Sequence, residues 1–92
     1  MIVRILGEGQ WRLDAGHADA LNELDEQVER SVEAGDEQAF RVALEQLLAS
    51  VRQSGTEVGI DELIDSDSVL PPADASLEEV RRLLGDEGLI PG

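Results

Sequence analysis

An α+β fold is predicted by three observations on this 92-residue chain. Two short alternating stretches, Met1 to Leu6 and Gln10 to Leu13, flank a Gly7-Glu8-Gly9 loop; two amphipathic segments meet at Gly35-Asp36; and a capping signature stands at Ser76. The predicted architecture is an N-terminal β-hairpin, joined by a third short strand, packed on an antiparallel helix pair with a short C-terminal helix. Residues 1–92 form one domain, because a chain of this length builds a single modest core.

The hairpin comes first. A three-residue loop ending in Gly suits a type I turn closed by a bulge at positive φ, which sets Leu6 opposite Gln10, Ile5 opposite Trp11, Arg4 opposite Arg12 and Val3 opposite Leu13. Met1, Val3, Ile5, Trp11 and Leu13 then share an apolar face, and Ile2, Arg4, Leu6, Gln10 and Arg12 the other. Trp11 is assigned to the face that meets the helices; its rival reading is an exposed binding anchor. Arg4 and Arg12 would be like charges directly opposite, so something negative should neutralise them, either an acid of this chain or an acidic patch on a partner.

The first helix is expected from about Ala15 to Ala34, with Asp14 as N-cap and Leu21, Leu24, Val28 and Val32 as its apolar stripe. Gly35 suits the left-handed position that ends it, and Asp36 starts the next helix at once, so the two run antiparallel. The second helix, about Glu37 to Gln53, carries the wider stripe Phe40, Ala43, Leu44, Leu47, Leu48 and Val51 and should be the more buried. Each helix spans roughly 25–30 Å, enough to overhang a small sheet. Glu26–Arg30, Glu37–Arg41 and Glu78–Arg82 follow the favourable acid-before-base order at i, i+4.

Between Ser54 and Ala75, Gly55, Gly59, Pro71 and Pro72 exclude a long element. A helical turn near Asp61 to Ile64 and a short strand near Ser68 to Leu70 are expected, the strand protecting a hairpin edge. Ser76-Leu77-Glu78-Glu79 fits the capping box of a helix from Leu77 to Leu84, ended by Gly85, after which Leu89-Ile90-Pro91-Gly92 forms an apolar tail.

Twenty-one Asp and Glu oppose seven basic residues, all Arg, for a formal net charge of -14. Such a surface repels phosphodiester backbones and anionic headgroups, so direct nucleic-acid binding and membrane insertion are not expected, and a basic protein surface is the favoured complement. Cysteine is absent, which removes disulfides and thiolate chemistry. The N-terminal apolar run is short and interrupted by Arg4, and no stretch reaches the ~20 apolar residues of a membrane span. A cytoplasmic location is expected, with a homodimer through the open hairpin edge a further expectation.

No catalytic, cofactor-binding or metal-binding set can be assembled from these residues. His17 is the only histidine and has no nucleophile beside it. Asp65-Ser66-Asp67 begins like a calcium loop, but Leu70 and Ser76 fall where that loop needs Gly and Glu. Gly7 and Gly9 lead into a strand and not a helix N-terminus, so they form a turn rather than a phosphate cradle. A non-enzymatic protein is expected, with no cofactor.

Three segments together resemble one family: MIVRILGEGQWRLD at the start, LNELDEQVERSVEAGDEQAF across the helix junction, and DSDSVLPPADASLEEVRRLLGDEGLIPG at the end. They are similar to the PspA-associated family, PspAA, small proteins encoded with the membrane-stress protein PspA. The resemblance implies an accessory protein of the envelope-stress response with a PspA-like protein as partner. Arg4, Arg12, Trp11, Leu89 and Ile90 are the interface candidates that the residues themselves suggest. A rival reading makes the chain an acidic regulator that mimics nucleic-acid charge and blocks a basic DNA-binding protein.

Overall fold

The computed structural model describes residues 1–59, 61, 62 and 64–83. In chain order the elements are β1 (Ile2–Ile5), β2 (Gly9–Arg12), a 3-10 turn (Ala15–His17), α1 (Ala18–Ala34), α2 (Glu37–Ser54), β3 (Thr56–Glu57), β4 (Ser68–Leu70) and α3 (Leu77–Leu83). The fold is α+β. A four-stranded mixed sheet in the order β3-β2-β1-β4 lies against the helix pair, with β4 parallel to β1 and the other pairings antiparallel.

The hairpin has a register two residues away from the predicted one. Ile2 faces Arg12, Val3 faces Trp11, Arg4 faces Gln10 and Ile5 faces Gly9. The turn is Ile5-Leu6-Gly7-Glu8, closed by the Glu8 amide donating to the Ile5 carbonyl at 3.0 Å, with Gly7 at φ 84 in the position that a type II turn reserves for glycine. A shift of two keeps every side chain on its predicted face, so the sorting survives while the Arg4–Arg12 opposition does not. The physical gain is twofold: like charges no longer face each other, and Met1 pairs with Leu13 through reciprocal bonds of 3.1 and 2.8 Å.

The edge on which a homodimer was expected is covered on both sides. β4, the predicted third strand, lies on β1, and β3, two residues with no sequence signal, lies on β2. The new outer edge at β4 is only three residues long and runs into Pro71 and Pro72, which donate no backbone hydrogen bond.

Both long helices stand where their stripes place them. α1 ends at Gly35, φ 68, and the Asp36 carboxylate accepts from the Ala39 amide at 3.1 Å to open α2. Asp14 makes no side-chain cap; its carbonyl accepts from the His17 amide, and the helix enters through the 3-10 turn. All six predicted α2 core residues are buried, as are Leu21, Val28 and Val32 of α1. They meet Val3, Ile5, Trp11, Leu13 and Leu70 of the sheet side and Leu77 and Val80 of α3 in one cluster. Ser76 Oγ accepts from the Glu79 amide at 3.1 Å, and Arg81 donates to the Val32 carbonyl at 2.9 Å, tying α3 to the electronegative end of α1. The predicted end of that helix, Leu84 and Gly85, and the apolar tail lie outside the described residues.

Residues 64–67, which lead into β4, are tied to β1 and β2. Gln10 donates from Nε2 to the Ile64 carbonyl (2.9 Å) and to Ser66 Oγ (2.7 Å), while the Asp67 carboxylate accepts from the Ile2 amide (2.7 Å). A turn closed by Glu62 N–H to the Gly59 carbonyl, 3.0 Å, stands close to the helical turn predicted near Asp61 to Ile64.

Candidate functional site

Alternation puts Arg4 and Arg12 on the face of the sheet away from the helices, and the loop after β3 builds a wall beside them. The result is a concavity of about 300 Å³ whose lining includes Arg4, Glu8, Gln10, Glu57, Glu62 and Ile64. Arg12 reaches Glu62 at 3.4 Å, so one of the predicted arginines is neutralised by an acid of this chain, 50 positions away. Arg4 lies beside Gln10 and Val69 in register, and no ion pair reaches it among the described residues.

Glu8, at the tip of the hairpin, makes a two-pronged pair with Arg52 near the end of α2; Nε donates to one carboxylate oxygen at 2.8 Å and Nη2 to the other. The hydrogen bonds from Arg52 hold the Glu8 carboxyl below the usual carboxylate range, against a smaller desolvation effect that raises it. This pair clamps the turn over the C-terminal end of the helix. Of the predicted helical pairs, Glu26–Arg30 forms at 3.6 Å. Arg41 instead donates to the Ala73 carbonyl at 3.2 Å with its guanidinium 5.5 Å from the Phe40 ring centre, and Glu78 meets Arg81 at 3.7 Å.

Trp11 is only 9% exposed and belongs to the core cluster, so its ring is a packing residue in this structure. Leu89 and Ile90 lie outside the described residues. Asp67 is engaged by the Ile2 amide, which explains the Asp65-Ser66-Asp67 run by strand docking. Among the described residues no group of three or more His, Cys, Asp or Glu is placed to hold a metal ion. His17 is half-buried at the end of the 3-10 turn, with Nδ1 enclosed and unpartnered. Sequence reasoning misses the Gln10 anchor and the Glu8–Arg52 clamp, since their partners lie 54, 56 and 44 residues away and no local pattern marks them.

The helix pair offers a second surface. Its outward side is rich in carboxylates, among them Asp19, Glu23, Glu26, Glu37 and Glu45, all exposed. The family model described as PspA-Associated protein matches residues 1–92, the whole chain. The chain belongs to the PspAA family. No curated protein and no solved structure matches it. Membership in PspAA links the chain to PspA in an accessory role. No helix among the described residues is long and apolar enough to cross a membrane.

Proposed function

We propose that this PspAA chain is a non-enzymatic cytoplasmic accessory that binds a PspA-type protein directly and modulates the envelope-stress response. The observation that carries this reading is the family match over residues 1–92. A net charge of -14 supports it, because the surface is attractive to basic segments of a protein partner and repels phosphate-rich ones. Paired surfaces of opposite charge gain most of their encounter rate from electrostatics, so the complex should be sensitive to salt.

Co-purification of the tagged chain with its PspA-type protein, at low and at high salt, tests the proposal. Capture at low salt with clear weakening at high salt is expected; no capture at low salt rejects direct binding. The same charge also favours a nucleic-acid mimic acting on a basic DNA-binding protein. Duplex DNA added to the captured complex separates the readings, since only a DNA-binding partner would be displaced through its nucleic-acid site.

A further inference from the structure

We propose that the outward groove between α1 and α2 seats a basic amphipathic helix of the partner. This rests on the accessory reading above and names the surface that performs it. The groove encloses about 490 Å³ and is lined by Gln27 from α1 and by Ala39, Val42, Ala43 and Gln46 from α2, with Asp36 at the junction. Val42 is 51% exposed, the most open of the large exposed hydrophobic residues on the described chain.

The helices show why this strip differs from the rest of the surface. Positions 20, 24, 27, 31 and 34 of α1 and 39, 42, 46, 49 and 53 of α2 advance by three and four, and none is charged. Of these positions Gln27, Ala39, Val42 and Gln46 line the groove, whose one charged lining residue, Asp36, stands at the helix junction. Ridges and grooves at this spacing accept the side-chain ridge of another helix, and an uncharged floor permits close approach without stranding a buried charge. The geometry therefore favours a helical occupant.

Charge decides which helix. Glu23 and Glu26 stand one step around α1 from its neutral row, Glu45 one step around α2 from its own, and all three are exposed. Arg30 pairs with Glu26 and Arg52 with Glu8, while Arg41, bound to the neutral Ala73 carbonyl, keeps its charge and is outnumbered by Glu23, Glu45 and Asp36. The rim is negative, so it selects an occupant with Lys or Arg flanking a small apolar ridge. A second copy of this chain is disfavoured, because two molecules of charge -14 repel.

The test compares Val42→Arg with Val69→Arg in binding to the purified PspA-type protein at low salt. Val69 is exposed on the outer sheet face beside Arg4, which makes it a matched control on the other side of the molecule. Both variants should fold as the wild type, which circular dichroism and thermal unfolding check. Val42→Arg should weaken binding by about tenfold or more, and Val69→Arg should leave it within about twofold. Unchanged affinity for Val42→Arg, or a loss confined to Val69→Arg, overturns the groove assignment and leaves the accessory function intact. Absence of wild-type binding rejects the accessory reading and the groove with it. Self-association of the chain that Val42→Arg abolishes would assign the groove to a second copy, also overturning the proposal.

Discussion

Gly55 shows at the scale of one residue how the helices and the sheet are fitted together. A Cβ there would stand 2.7 Å from the Val51 carbonyl oxygen, 2.9 Å from Trp11 Cβ and 3.3 Å from Leu13 Cδ2. Its role is close approach of α2 to β2, and Gly55→Ala should cost about 1–3 kcal/mol, read as a lower denaturant midpoint in urea. Sequence inspection marks Gly55 only as a helix breaker; the contact that makes it necessary involves Trp11 and becomes visible only in three dimensions. Glu8 carries a second residue-scale prediction. Its folded-state pKa is depressed by Arg52, so its stabilisation is fully present above the unfolded carboxylate range and is lost as pH falls through the folded value below it. Both partners are about one-third exposed, which limits the contribution to about 0.2–1 kcal/mol. Glu8→Gln should therefore lower stability slightly at pH 7, and the gap to wild type should close in acid, measured by urea unfolding across pH.

Elements with a local signal, the helix junction and β4 at Ser68–Leu70, agree with their prediction, whereas β3, made only by distant pairing, has no such signal. Gly35 and Asp36 end one helix and begin the next through contacts within a few residues, so the junction can be read directly from the chain. Asp36→Ala removes the acceptor for the Ala39 amide and should cost about 0.5–2 kcal/mol, measured by thermal or urea unfolding. The hairpin lies between these cases. Alternation alone assigns its faces, but both registers satisfy alternation, and the choice falls to the turn at Gly7 and to the Met1–Leu13 pairing. β3 has two exposed residues and no pattern of its own; it exists because α2 ends at Gly55 and the chain must pass beside β2. The candidate interface divides likewise: alternation places Arg4 and Arg12 on the outer face, whereas Arg12's acid, Glu62, comes from a loop whose path no periodicity encodes.

Across the whole molecule, charge outweighs any single contact. Fourteen excess negative charges on 92 residues repel each other most strongly in the compact state, so screening should stabilise the fold. The thermal unfolding midpoint should rise when salt is increased from about 20 mM to about 0.5 M, whereas partner binding should weaken over the same range. Opposite signs for the two measurements would separate intramolecular repulsion from intermolecular attraction. The sequence by itself determined the α+β class, both long helices, the short strand at Ser68–Leu70, the start of α3, the sorting of side chains between two faces and the acidic character of the chain. Those features follow from periodicity, caps and composition, which act within a few residues or need no geometry. Only the tertiary structure decided the hairpin register, β3, which hairpin edge β4 covers, the Gln10 and Asp67 anchors, the Glu8–Arg52 clamp and the groove at Val42. Each depends on side chains brought together from distant parts of the chain or on neighbouring helices packed side by side, and such meetings are set by how the layers close on one another.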